Sequence, residues 1–280
     1  MNQLITKSIK RTGRFRIYMP QFMTIARQNI FFSLMILIPF ILSSCTHYYY
    51  VANVHNVPLF KEKNELRFSG SLGGGDESQC IEVQTAWSVT DHLGIMAGYM
   101  SAKGGDVSDR NYAHGNYFEG GAGYFKPLDK WGIFEIYGGA GHSSQHHYFS
   151  NFYSGTDAGS VDLTSLKIFI QPTLGFTSSF FDAAFSTRIC VVTFSDAGNF
   201  LTGYTDEYAK LNSLSSQIHG FLEPALTIRA GWKYTKLQFQ VVRSLYLSNT
   251  NYNIGEDWHL SLGLNFSFAN RFKSKKSESQ

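Results

Sequence analysis

From Glu65 to Phe268 apolar residues recur at every second position, in one segment after another. The last segment is the clearest. Trp258, Leu260, Leu262, Leu264, Phe266 and Phe268 fall on one face, and His259, Ser261, Gly263, Asn265 and Ser267 on the other. Alternation sustained over about ten residues describes a strand with one apolar and one polar face. Nine further segments behave alike, near 65–73, 79–89, 93–101, 116–125, 132–141, 164–176, 181–194, 218–232 and 236–248. No stretch after residue 44 carries a convincing helical period, and no shift in composition marks an internal linker.

The connections between these segments alternate in length. "VTDHLG", "KPLDKWG", "TSSFF" and "KYTK" are short, whereas 102–115, 142–163, 195–217 and 249–256 are longer, and "GGGDES" joins the first two strands. Short turns at one end and long loops at the other predict an all-β fold, a closed antiparallel transmembrane β-barrel with short periplasmic turns and longer extracellular loops. Ten strands are expected; splitting or merging one pair would make eight or twelve. With ten, both ends of the barrel segment lie at the periplasmic side.

Aromatic placement separates a membrane barrel from a soluble one. The apolar parity offers Trp87, Tyr124, Phe134, Phe176, Phe181, Trp232, Phe239 and Phe268 near the short-turn end. Eight outward aromatics at one height form a girdle suited to a membrane interface. The opposite parity carries Arg67, Glu82, Glu119, Glu135, Lys167, Asp182, Arg188, Glu223 and Arg229. A cation facing mid-membrane lipid costs about 2–4 kcal/mol, so these groups are expected inward, as a lumen charge network. Gly94, Gly98, Gly121, Gly123, Gly139 and Gly141 share that parity and leave room for long side chains. Arg243 breaks the rule by falling on the apolar parity; a bulge near Val241-Val242 or snorkelling to the outer interface would accommodate it.

Composition agrees with a surface that water does not fully cover. Charged residues make up 16% of the chain, against roughly 25% in an ordinary soluble domain. The N-terminal part reads separately. Lys7, Lys10, Arg11, Arg14, Arg16 and Arg27 precede an apolar run from Ile30 to Leu42, and no acidic residue occurs before Glu62. The run is short of the about 20 residues that a spanning helix needs. A basic start, a short apolar core and small residues at its end make a secretory signal; an uncleaved membrane anchor is the alternative. Without residues 1–44 the chain keeps 18 basic and 21 acidic residues. The basic balance therefore belongs to the leader and gives no reason to expect nucleic acid. Cys80 and Cys190 fit either one disulfide or two buried thiols.

Leu42-Ser43-Ser44-Cys45 resembles the lipobox of bacterial lipoproteins, in which the cysteine is lipidated and becomes the new N-terminus. The resemblance implies a signal peptide over 1–44, a lipidated linker over 45–63, a barrel over 64–268 and a basic polar tail over 269–280. "LNFSF" resembles the aromatic-ended last strand of outer-membrane β-barrel proteins, the segment read by the barrel-assembly machinery; the tail "ANRFKSKKSESQ" departs from that pattern by continuing beyond it. Together these resemblances imply an outer-membrane barrel lipoprotein of a diderm bacterium. Thr46 lacks the aspartate of inner-membrane retention signals, and residues 46–50 lack the acidic run of surface-exported lipoproteins, so the lipid is expected in the periplasmic leaflet.

Candidate chemistry is sparse. His142, His146 and His147 in "GHSSQHH" are metal-binding residue types, but a site needs three or four converging ligands, and none is assigned. Ten strands is also the count of the omptins, outer-membrane proteases whose rim acids and histidines activate water. Asp106, Asp109, His114, His142, Asp157 and Asp196 supply that raw material without a recognisable motif. "GGGDES" and "EGGAG" precede strands rather than helices, unlike phosphate loops. The reading is a non-enzymatic barrel with a side-chain-filled lumen and no cofactor. Its partners are membrane lipid, the assembly machinery, and an extracellular ligand or envelope protein met through its loops. A narrow small-solute channel and an omptin-like rim hydrolase are the alternatives.

Overall fold

The computed structural model describes residues 48–106, 111–128, 130–150, 157–199, 205–248 and 254–272. Its wall consists of β1 (Leu66–Gly74), β2 (Ser78–Ser88), β3 (Leu93–Asp106), β4 (Asn111–Pro127), β5 (Gly132–Ser150), β6 (Asp157–Thr177), β7 (Phe181–Asn199), β8 (Ile218–Gly231), β9 (Thr235–Arg243), β10 (Leu245–Tyr246) and β11 (Trp258–Phe268). A helix, α1 (Thr205–Ser216), connects β7 to β8. Consecutive strands from β1 to β9 pair antiparallel, and β11 lies between β9 and β1. The seam sets Leu66 opposite Phe268 and Gly74 opposite Leu260. β10 prolongs β9 past Ser244 in the same register against β8. The result is a closed antiparallel barrel of ten staves.

The alternation in the sequence becomes the two faces of this wall. In β2, "SQCIEVQTAWS" alternates buried and exposed without a break. Ile81, Leu72, Leu174 and Phe185 stand on the outside, between 57% and 65% exposed. Large apolar groups facing out over a polar interior reverse the order of a soluble protein, and suit hydrocarbon as the outer solvent. No helix of the described residues is long and apolar enough to cross a membrane.

The wall is taller than the alternation suggests. Most of 102–115 and 142–163, expected as loops, continues as strand: β3 and β4 run to Asp106 and from Asn111, and β5 and β6 to Ser150 and from Asp157. Above the membrane band these strands no longer need an apolar outer face, so their alternation fades while their ladder bonds continue. The opposite side is low, because β1 ends at Gly74 and β11 begins at Trp258.

α1 corrects the expectation of no helix. Its "TDEYAKLNSLSS" has too few apolar residues to show a period, yet Leu211 and Leu214, one turn apart, are buried. They join Tyr49, Tyr50, Phe149, Phe194, Phe221 and Ile254 in one apolar cluster. Beyond β11, Asn270–Phe272 form a 3-10 turn, and Arg271 clasps Glu65 with two bonds of 2.6 and 2.8 Å. That clasp ties the end of β11 to the start of β1. Burial opposes the charge on Glu65, but the guanidiniums of Arg67 and Arg271 outweigh it and hold the carboxyl below its ordinary range.

Arg243 faces outward, eight residues above the start of β9. Its guanidinium bonds Asp257 Oδ2 at 2.9 Å and lies 4.4 Å from the ring centre of Trp258. β9 is interrupted at Ser244, not at Val241-Val242. Position rescues the charge, since it sits at the level of the outer interface with its own counter-ion.

Placing a cation on the outer face tests the solvent assignment. Phe185→Arg, four residues above the girdle, is expected to cost about 2–4 kcal/mol and to lower the yield of the compact, heat-modifiable form on gels, whereas Phe185→Leu leaves it unchanged.

Candidate functional site: the occupied lumen

Residues 48–63, expected as a linker outside the barrel, run through its interior, and every residue from Ala52 to Phe60 is buried. At the long-connection end the amides of Tyr49 and Tyr50 donate to Ile254 O at 2.9 and 3.0 Å, and Glu256 N donates to Tyr50 O at 3.0 Å. At the short-turn end Phe60 N donates to Glu135 Oε1 at 2.9 Å, and Lys61 Nζ reaches the carbonyls of Lys130 and Thr177. Twelve extended residues reach about 40 Å, enough to cross the barrel from one end to the other.

A strand alone in a lumen has no neighbouring strand, and each unpaired buried peptide group costs about 1–3 kcal/mol. Wall side chains stand in for the missing neighbour. Gln240 accepts from His55 N at 2.6 Å and donates to His55 O at 3.1 Å, so one amide side chain satisfies both backbone groups of one residue. Glu82 accepts from Val54 N at 2.8 Å, and Gln84 donates to Val54 O at 2.7 Å. Gln171 donates to Asn56 O and Arg229 to Val57 O, both at 2.8 Å. Leu59 then takes φ of 54°, a left-handed conformation costly for a bulky residue. Its buried side chain and the hold of Glu135 on the next amide keep it there.

All nine charged residues of the expected network are inside, none more than 3% exposed. They form separate groups, and most groups touch the inserted segment. Arg188 meets Glu119 at 3.2 Å through both terminal nitrogens, and donates to Asn53 Oδ1 at 2.8 Å and Gln171 Oε1 at 2.8 Å. Lys167 pairs with Glu223 at 3.5 Å, and both bond the Tyr50 hydroxyl, Lys167 as donor at 2.6 Å. Asp182 gathers Lys236 at 2.6 Å, Arg67 at 3.7 Å and Arg229 at 3.9 Å. Glu135 is held by the segment's backbone rather than by a cation. Gly94 and Gly141 clear space for rings rather than for charges. A Cβ on Gly94 would come 2.7 Å from Tyr137 Oη and 3.0 Å from Phe60 Cε2, and one on Gly141 would overlap Tyr117.

Glu65, Lys236, Arg271 and the glutamines 84, 171 and 240 were not singled out by charge and parity. The lumen parity of Lys236, Gln238 and Gln240 was legible. So was the charge-free "YYYVANVHNVPLF", an odd composition for a solvated linker.

Trp87, Tyr124, Phe176, Phe181, Trp232, Phe239 and Phe268 point outward, from 38% to 74% exposed, and Phe134 is partly exposed between them. Cys80 and Cys190 are buried free thiols. Cys80, Glu82 and His259 bring their donor atoms within 4.8 Å of one another, close enough to hold a metal ion. As they stand they form a hydrogen-bonded triad, with His259 Nε2 2.8 Å from Glu82 Oε1. "GHSSQHH" lies on β5, where alternation divides its histidines: His142 and His146 face out and His147 faces in against Tyr49. His146 pairs with Asp162 at 2.6 Å and lies beside His114 on the outer surface. Asp109 and Cys45 lie outside the described residues, as do the side chains of Asp106, Asp157 and Asp196.

No family model matches this chain, and no curated protein matches it. Among solved structures it is similar to the translocator domain of the autotransporter NalP from Neisseria meningitidis, at 10% identity over 77% of this chain and 90% of that one, with a TM-score of 0.43. It is also similar to the N-terminal β-barrel domain of Pseudomonas aeruginosa OprF, at 12% identity over 74% and 99%, TM-score 0.34. The Escherichia coli outer membrane protease OmpT follows at 10% over 74% and 94%, TM-score 0.39. Likenesses of this size carry no information on activity.

Removing one partner of a buried ion pair strands the other. Arg188→Met should lower stability by about 3–5 kcal/mol, read as the urea midpoint of the gel-shifted form. Arg188→Met combined with Glu119→Leu should recover part of that loss.

Proposed function

We propose that this protein is an outer-membrane β-barrel lipoprotein, closed to solute flow by its own N-terminal segment, whose working surface is the tall extracellular rim. The observation that carries the reading is the occupied lumen. Residues 49–60 run its length, bonded to β2, β5, β6, β8 and β9. Leu211 and Leu214 of α1 share one apolar cluster with Tyr49 and Tyr50 at the upper end of the segment. A conducting pore needs a continuous polar path, and the buried segment occupies the space where one would run. In a bacterial outer membrane the short turns face the periplasm and the long connections face outward. The tall side formed by β4, β5 and β6 then stands clear of lipid on a rigid base. Its outer face carries Tyr112 stacked on Tyr148 at 5.5 Å and His114 beside His146 at 5.5 Å. Aromatic and imidazole rings fixed on strands suit recognition of another envelope component. This is a binding role without catalysis.

Two measurements test the reading. In planar bilayers the purified protein should show no steady conductance, and an open level in the wild-type chain would defeat the plugged-barrel assignment. Labelled fatty acid should enter the wild-type protein and be lost in Cys45→Ser together with accumulation of a larger precursor; unchanged labelling would remove the lipid from the proposal.

A further inference from the structure

Three chemically distinct donors meet inside the wall beside the seam. Cys80 and Glu82 face inward from β2, and His259 faces inward from β11. Cys80 Sγ lies 3.5 Å from Glu82 Oε1 and 3.8 Å from His259 Nε2, and the last two atoms are 2.8 Å apart. All three residues are buried, none more than 5% exposed. β1 runs between their strands, which therefore stand about 10 Å apart, so the side chains meet only by reaching over it. The inward positions of β1 at this level are Ser71, opposite Glu82, and Gly73, opposite Cys80. A Cβ on Gly73 would stand 3.0 Å from His259 Nε2, so the missing side chain leaves room beside that nitrogen.

This corner also lacks a fixed positive charge. Glu119, Glu223, Asp182 and Glu65 each have a lysine or arginine partner. Among the described residues Glu82 has neither: its ion-pair partner is His259, and its other oxygen accepts from Val54 N of the inserted segment at 2.8 Å. His259 Nδ1 is buried without a hydrogen-bond partner among the described residues. A buried carboxylate without a cation is costly, and a dication supplies the missing charge. One Zn2+ with a thiolate, a carboxylate and a neutral imidazole makes a site of zero net charge. A tetrahedral zinc ion, with bonds of about 2.3 Å to sulfur and about 2.0 Å to nitrogen and oxygen, holds its sulfur about 3.5 Å from the other two donors and those two about 3.3 Å apart. The three separations here already fall close to that triangle. Calcium and magnesium take oxygen ligands, so a thiol and an imidazole select a softer ion.

We propose that Cys80, Glu82 and His259 form a zinc site that fastens the inserted segment to the barrel seam. Zn2+ binds Cys80 Sγ, Glu82 Oε1 and His259 Nε2, with water in the fourth position. The thiol proton leaves to solvent, the imidazole proton moves to Nδ1, and no electron is transferred. Glu82 Oε2 keeps its bond to Val54 N, so the ion joins β2, β11 and the segment into one connected unit. Cys80 is two residues from the start of β2 at Ser78, so an ion arriving from the long-connection end does not have to cross the filled lumen. Neither the lipid nor the rim surface enters this site.

Titration of the purified, chelator-washed full chain with Co2+ tests the site. One equivalent is expected to bind with a near-ultraviolet thiolate-to-cobalt charge-transfer band, and Zn2+ to abolish that band by displacement. Cys80→Ser and, separately, His259→Ala should lose the band, while Cys190→Ser, the other buried thiol, should keep it. Heat-modifiable migration confirms that each variant has folded. No band in the wild-type chain, or a band that survives in Cys80→Ser or His259→Ala, overturns the proposal. X-ray absorption of the zinc-loaded wild type makes the same decision without a variant. A shell containing one sulfur at about 2.3 Å is expected; a shell of nitrogen and oxygen alone places the ion on surface groups such as His114 and His146 and overturns the site. For the link to the segment, zinc should raise the urea midpoint of the gel-shifted form in the wild type and not in Cys80→Ser. Equal wild-type midpoints with and without zinc overturn the fastening role.

Discussion

Backbone groups removed from water must find partners, and in this protein that requirement acts twice. Hydrocarbon outside the wall offers no hydrogen bonds, so the strands close on one another and leave no edge. Inside, a lone extended segment meets a wall whose backbone is already used. Its peptide groups depend on side chains that can imitate a strand: Gln240 on both groups of His55, Glu82 and Gln84 on Val54, Gln171 and Arg229 on the carbonyls of Asn56 and Val57. Without that match the segment would be the most expensive element in the molecule. With it, the segment becomes the core that a small barrel otherwise lacks.

The charges follow from the same constraint. Nine acids and bases cannot face lipid, and enclosed in a narrow lumen they cannot face bulk water either. They are tolerated because they neutralise each other and because the segment supplies neutral partners, Asn53 to Arg188 and the Tyr50 hydroxyl between Lys167 and Glu223. The ionic groups and the segment are thus mutually dependent. Ten staves encircle residues 49–60, and the seam between β1 and β11 completes the ring. The clasp between Arg271 and Glu65 sits at the inner end of that seam.

The occupied lumen bears on the proposed binding role, because the inserted segment fills the space that transport would use. Alternation along β5 turns His146 and His147 to opposite faces of one wall. The projecting side of β4, β5 and β6 remains as the surface that faces away from both lipid and plug, and its rings are already ordered against each other.

The sequence by itself determined the two faces of the wall. A period of two assigns each residue of a strand to one side or the other, so the outward parity of Trp87 and Phe239 and the inward parity of Arg188 and Glu223 could be read directly. The sequence left the strand count at eight, ten or twelve, and the closed pairing of the tertiary structure settled it at ten staves. Only the tertiary structure decided what fills the interior. The segment before β1 has no period, since it is surrounded by wall on all sides and has no second face. Its partners lie as far as 185 positions away, as with His55 and Gln240. The same holds for α1, where two leucines suffice because the cluster they complete comes from other parts of the chain. Local periodicity records which solvent a side chain meets. It carries no record of which distant groups will replace that solvent once the barrel has closed.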